Sequence, residues 1–279
     1  MGSERISPTA HYTGYTWFHH GLSHPALVTR EGRLFHAAVE PVAAISRRLG
    51  LPTLEGLLLA RHHAIDRRLT SAIESGAVGQ VIEVAAGLSP RGWDFSRRFG
   101  DRLRYIEADL PAMADRKRRL LREAGLETPA HRVVALDALA DDGELSLARL
   151  ADQLDPSLGL AIITEGLINY FPTEDVRGMW ARFAKTLRRF PEGLYLSDLH
   201  LATDNLGLLV QLGTRALSTF VRGSVHLHFD SVDAAAEALR DAGFTQAELI
   251  QPAPQPGRTG AVDAAGARMV RIIQASTHR

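Results

Sequence analysis

Hydrophobic positions along this chain fall into two rhythms. Short runs in which nearly every residue is apolar, such as Val81-Ile82-Glu83-Val84 and Leu158 to Thr164, read as strands buried on both faces. Longer stretches that repeat an apolar residue every three or four positions read as amphipathic helices. The runs predict strands at 81–84, 102–109, 132–136, 158–164 and 194–201, and two late ones at 244–250 and 268–275. Helices are expected from Leu110-Pro111 through Leu121, from Thr173 to before Pro191 with Glu174 and Asp175 in the first turn, and from Ser231 to Ala242, stopped by Gly243. Strands that alternate with helices and carry continuous apolar character form a parallel sheet covered on both faces, an α/β fold. The Pro/Gly-rich stretch 252–266 suits a loop and a hairpin return better than a crossover, so the last strands are expected to close the sheet with an antiparallel edge.

The first third of the chain lacks the strand rhythm. Residues 1–30, rich in His, Tyr, Gly, Ser and Thr, show no period and are expected to be an irregular arm. Leu34, Ala38, Val42, Ile45 and Leu49 mark a helix with Pro41 as a kink or break. A second helix, about 53–75, has the stripe Leu54, Leu57, Leu58, Ile65, Leu69 and Ala72, with Arg61 in its middle and Arg68 near its edge. A guanidinium facing inward needs an anionic or carbonyl partner, and a ligand, an internal acid, or stems laid over the core with their heads in water all remain open for the two arginines. The expected organisation is one domain over 1–279, with an arm and helical cap over 1–75 and an α/β core over 76–279. A helical insertion at about 203–222 interrupts the core, its helix read over Asn205 to Phe220.

Composition narrows the function class. With 32 basic and 32 acidic residues the formal charge is zero, which gives no electrostatic footprint for nucleic acid or an anionic membrane. The absence of cysteine excludes disulfides, thiolate metal sites and cysteine nucleophiles. The pairs His19-His20 and His62-His63 have a spacing that suits neither a helical nor a strand metal site, so no metal is expected. The N-terminus has no apolar signal core and no run is long enough to span a bilayer, so the expectation is a soluble cytoplasmic protein.

Chemistry concentrates where the strands end. The first run gives way to Ala85-Ala86-Gly87, small residues that let a ligand lie against the backbone, and the next three end in Asp109, Asp137 and Glu165. Gly87 and Asp109 stand about as far apart as the turn and the ribose-binding carboxylate of a nucleotide-binding unit.

Three motifs then carry a resemblance. Ala-Ala-Gly-Leu-Ser-Pro-Arg, Tyr-Ile-Glu-Ala-Asp-Leu-Pro followed by Lys117-Arg118-Arg119-Leu120-Leu121, and Thr-Glu-Gly-Leu-Ile-Asn-Tyr-Phe-Pro resemble successive motifs of the leucine carboxyl methyltransferase family. The resemblance covers roughly residues 54–200, and Ala-Gly-Phe at 242–244 fits the lead into the late strands. It implies a Rossmann-like class I methyltransferase using S-adenosylmethionine, with a small-molecule acceptor that is polyketide-like or another secondary metabolite. It implies cofactor contacts from Glu83, Ala85, Gly87, Asp109, Leu110, Asp137, Ala138, Glu165 and Gly166, and substrate contacts from Arg61, Tyr170 and His200. Within that set Asp109 is expected at the ribose, Asp137 near the adenine and Glu165 near the methionine end. Leu59-Ala60-Arg61 with Ile65-Asp66 is similar to the family's helix whose arginine meets a substrate carboxylate. The chain departs from the pattern at Ala85, where the family has Gly, at Ser89-Pro90, where it has Asp-Thr, and along the N-terminal arm.

A carboxylate acceptor is already ionised at pH 7 and needs no base, which would leave Arg61 as an orienting clamp. A hydroxyl acceptor would need one, and His200 is the best-placed residue. Two other classes stay in view: a nicotinamide-dependent oxidoreductase, opposed by the lack of Gly-x-Gly-x-x-Gly and by the antiparallel hairpin, and a silent cofactor-binding protein.

Overall fold

A computed structural model describes residues 8–202, 204, 226–253 and 264–278. Seven strands form one sheet: β1 Gln80–Val84, β2 Arg104–Asp109, β3 His131–Ala135, β4 Leu160–Thr164, β5 Gly193–Leu199, β6 Gln246–Ile250 and β7 Arg271–Ser276. Their order is β3-β2-β1-β4-β5-β7-β6. The first five run parallel, while β7 pairs antiparallel with both β5 and β6, so the mostly parallel sheet with an antiparallel edge is as expected. Register is strict at the centre, where Val84 sits between Ala108 and Thr164 and brings three strand ends level.

Nine helices are described: α1 Pro8–His19, α2 Arg30–Arg48, α3 Leu54–Glu74, α4 Arg91–Phe99, α5 Pro111–Glu123, α6 Leu147–Ala151, α7 Thr173–Leu187, α8 Val232–Asp241 and α9 Ala264–Arg268. Alternate strand residues face opposite layers. Val81, Tyr105, Ala161, Ile163 and Leu196 pack on Ile65, Leu69 and Phe95 of α3 and α4. Ile82, Ile106, Ile162 and Tyr195 pack on Leu150 of α6, Trp180 and Phe183 of α7, and Leu239 of α8. Threonine and serine hydroxyls cap several helices, with Thr29, Thr53, Ser146 and Ser231 each accepting from a backbone N–H in the first turn. Among the described residues no helix is long and apolar enough to cross a membrane.

Three expectations fail in the N-terminal and C-terminal regions. Residues 8–19, read as an irregular arm, are helical. The face that α1 buries holds His11, Tyr12, Thr16 and Trp17, so its burial leaves no apolar period to see. Pro41 neither ends nor interrupts α2, and the expected apolar stripe points the wrong way: Leu34, Val42, Ile45 and Leu49 are 59–71% exposed. Gly32, His36 and Ala43 turn inward instead, because α1 and α2 cross so closely that a Cβ on Gly32 would lie 2.3 Å from the His11 carbonyl oxygen. Part of the expected 252–266 loop is the short helix α9. The insertion expected at 205–220 lies outside the described residues.

Candidate active site

The chain leaves β1 through a strained turn. Ala85 has φ of 54°, the one positive value outside glycine among the described residues, at a position where an L side chain costs about 1–2 kcal/mol. Gly87 follows at 51°. Its N–H donates to Asp109 Oδ2 at 2.7 Å, and the Leu110 N–H donates to Oδ1 at 2.8 Å. Burial pushes the Asp109 carboxyl up from its ordinary range against these two donors. Each carboxylate oxygen retains a lone pair for a further donor. Leu110 beside it is 56% exposed, an apolar shelf at the strand end.

Beyond the turn lies a charged network whose members Arg91, Asp66 and Glu165 stand in the motifs, though the motifs do not show that they meet. Arg91, the first residue of α4, is fully buried. Its Nε donates to Asp66 Oδ1 at 2.5 Å, its Nη1 to Glu83 Oε1 at 2.5 Å, and its Nη2 to Glu165 Oε2. Burial works to lower its pKa, but these three acids hold it well above the ordinary value. The other Glu83 oxygen accepts from the Tyr105 hydroxyl at 2.8 Å. Glu83, expected to touch the cofactor, is therefore an internal counter-ion, and burial raises its carboxyl despite Arg91.

Arg61 faces inward as its stripe requires, and its partners are internal. Nε donates to Glu165 Oε1 at 3.0 Å and Nη1 to Asp198 Oδ2 at 3.0 Å. Nη2 lies along Gly166, where an added Cβ would come within 2.8 Å of it. The Gly166 N–H donates to the other Asp198 oxygen at 2.6 Å, tying the end of β4 to that of β5. Glu165 also meets His62 Nδ1 at 3.0 Å. Burial works to raise the Glu165 carboxyl, yet His62, Arg91 and Arg61 hold it well below the carboxylate range. Four carboxylates, Asp66, Glu83, Glu165 and Asp198, thus face two guanidiniums.

His200 stands at the rim with 18% of its side chain exposed. Its Nδ1 lies 2.8 Å from the Met269 carbonyl oxygen, which only accepts, so Nδ1 carries the proton and Nε2 presents a lone pair. Nε2 is 3.9 Å from Asp198 Oδ2. Burial lowers its pKa, and Asp198 opposes that shift. Asp137 is half-buried and accepts from the Leu139 N–H at 2.9 Å; Ala138 is also half-buried, and Tyr170 is 37% exposed.

The helical cap roofs this edge. A Cβ on Gly87 would lie 3.6 Å from the Ala10 Cβ, and one on Gly14 would lie 3.1 Å from the Leu88 Cβ. Trp17 stacks on His62 with ring centroids 4.3 Å apart. A cavity of about 390 Å³ beside Trp93, Arg97 and Leu126 has none of the strand-end acids in its lining.

Sequence reading brought Asp109, Glu165, Gly166, Arg61 and His200 to one edge but missed Arg91, His62 and Asp66. A signal existed: Glu83 sits inside a buried strand and Asp66 on a largely buried helix, and such acids require a cation nearby.

Comparisons with known proteins agree with this architecture. A methyltransferase proposed from Thermobifida fusca superposes with a TM-score of 0.62 at 13% identity, covering 98% of this chain and 95% of that one. A DUF574 family protein from Streptomyces avermitilis gives 0.60 at 16%, covering 97% of each. The S-adenosylmethionine-dependent methyltransferase SibL in its apo form gives 0.54 at 18% over 91% of this chain, which spans 61% of SibL's length. At such identities the likeness establishes the fold, that of class I methyltransferases. No curated protein matches the sequence. The family comparison is more specific: residues 23–184, more than half of the chain and including the turn after β1, Arg91 and Glu165, match the leucine carboxyl methyltransferase model, and the chain belongs to that family.

Proposed function

We propose that the protein is an S-adenosylmethionine-dependent O-methyltransferase whose acceptor is a carboxylate of a small molecule. The observation that carries the reading is the sheet edge itself, where a small-residue turn, an Asp109 carboxylate with acceptor capacity to spare and an excess of carboxylates over guanidiniums meet. These residues fit the cofactor. Asp109 would accept from ribose hydroxyls, Leu110 and Ala138 would flank the adenine with Asp137 nearby, and the surplus negative charge around Glu165 suits a cationic ligand. S-adenosylmethionine, when bound, supplies an electrophilic methyl on a sulfonium.

What remains for the chain is orientation. Arg61 holds Glu165 and Asp198 in place and offers Nη2, beside Gly166, to an acceptor carboxylate, with Tyr170 at the rim. Glu83 acts indirectly by holding Arg91. A second reading has its own observation: the unprotonated Nε2 of a neutral His200 is placed to take a proton from a hydroxyl acceptor.

Calorimetry with S-adenosylhomocysteine, run beside NAD, tests the cofactor; binding of NAD alone, or of neither, removes the proposal. Methyl transfer from labelled cofactor to panels of carboxylic acids and phenols then separates the two acceptors. Dependence on His200 together with phenol turnover would replace the carboxylate reading.

A further inference from the structure

Three helices meet at a cluster that plays no part in the chemistry above. His19 ends α1, His36 lies in the second turn of α2, and Glu55 is the second residue of α3. One donor atom from each of these residues lies within 4.8 Å of the others. His36 Nε2 stands 3.9 Å from Glu55 Oε1, and the His19 and His36 ring centroids are 4.8 Å apart. The expectation of no metal rested on His19-His20 as neighbours in sequence; the fold instead combines His19 with residues 17 and 36 positions away.

We propose that His19, His36 and Glu55 form a binding site for a divalent cation of the zinc class. Two imidazoles and a carboxylate are the donor set zinc takes, with water filling the fourth position. A tetrahedral ion with bonds of about 2.1 Å needs donors about 3.4 Å apart. The cluster therefore has to contract by little more than an ångström, within the reach of side-chain rotation. The donors are held ready for it. His36 is buried against Tyr12, stacked at 5.9 Å, and Tyr15, edge-on at 4.9 Å, while Tyr15 also stacks on His19 at 6.2 Å. Glu55 is oriented by His20 Nε2 on Oε1, the oxygen that also faces His36, and by Arg47 Nη1 on Oε2 at 3.1 Å, hydrogen bonds of the kind that fix a ligating carboxylate and that leave Oε1 a second lone pair for an ion. An ion here ties α1 to α2 and α3, and α1 is the roof over the 85–87 turn.

The test uses the full chain without an affinity tag, stripped with chelator and titrated with zinc or cobalt alone. One zinc per chain with micromolar or tighter affinity, a rise in Tm on zinc addition, and cobalt absorption bands of a four- or five-coordinate site are expected. His36→Gln and His19→Gln should each weaken zinc binding at least tenfold while leaving S-adenosylhomocysteine binding intact. If His36→Gln does not fold, His19→Gln, at the half-buried end of α1, decides alone. Absence of stoichiometric binding by the folded wild type, or equal binding by the folded variants, overturns the proposal.

Discussion

Two buried charge clusters lie side by side where β1 and β2 pair, Glu83 opposite Glu107, and they differ in how their acids are matched. In one, Glu107 of β2 meets Lys117 of α5 at 2.6 Å and His131 of β3 at 3.2 Å, with all three side chains at most 2% exposed. Lys117 also donates to the Ser89 carbonyl oxygen at 2.7 Å, and the Gly92 N–H donates to Glu107 at 3.2 Å, so this cluster holds the turn after β1. In the other, the network of Arg61 and Arg91 sets four acids against two guanidiniums and His62, and it opens toward the surface at Asp66, 22% exposed. Removing one member of a closed pair strands a buried charge and costs the fold, whereas an open and mismatched set keeps capacity for a ligand.

Breaking the Glu107 cluster should have the largest effect on stability. Lys117→Met leaves Glu107 buried without its ammonium and should cost about 3–5 kcal/mol in urea unfolding, most of it recovered by adding Glu107→Gln. The pH dependence has a definite sign. Burial raises the Glu107 carboxyl, but Lys117 and His131 bring it down to about 2, below its unfolded range. Its contribution is therefore complete above the unfolded pKa and is lost as pH falls through about 2. The acid-unfolding slope between pH 4 and about 2 should flatten in Glu107→Gln.

The network of Arg61 and Arg91 should respond in function before stability. Arg61→Lys keeps the charge but loses the fork that spans Glu165 and Asp198, and should lower kcat/KM for a carboxylic acid by roughly ten- to hundredfold, the equivalent of about 1.5–3 kcal/mol. S-adenosylhomocysteine affinity should stay within a few-fold, and unchanged turnover in steady-state assays would make Arg61 purely structural. Asp109→Ala should weaken S-adenosylhomocysteine about tenfold by calorimetry, with about 1 kcal/mol of stability lost through the orphaned Gly87 N–H. A large stability loss with normal binding would make that acid a cap of the turn alone. The smallest effect lies at the turn itself: Ala85→Gly relieves the positive φ but adds chain entropy of about 0.5–1 kcal/mol, for a net gain of up to about 1 kcal/mol in Tm-derived stability.

How much of this was legible in sequence follows from what each region buries. The sheet was readable because β1 and β4 are buried at every position and their apolar runs have no competing interpretation. Asp109 and Glu165 were readable because a strand end is a fixed address in an open α/β sheet. Helix α1 was not, since its buried face is built from His11, Thr16 and Trp17 and is made helical by packing on α2 and α3. The α2 stripe misled because four apolar residues at helical spacing face outward while His36 faces inward. Arg91 went unread because it stands in a run of Ser, Pro and Gly that reads as a loop, and its three acidic partners are 8 to 74 positions away.

The close fit of α1 over the turn at Ala10 and Gly14 also bears on time. For a ligand that docks on residues 85–87 the roof would have to lift, so binding is expected to have two steps: departure of α1, with the Trp17 stack on His62 undone, and then capture. In rapid mixing the observed rate would then climb with ligand concentration only until it met the opening rate, and level off there. The measured affinity would be weaker than that of the opened chain by the fraction of time the roof is up.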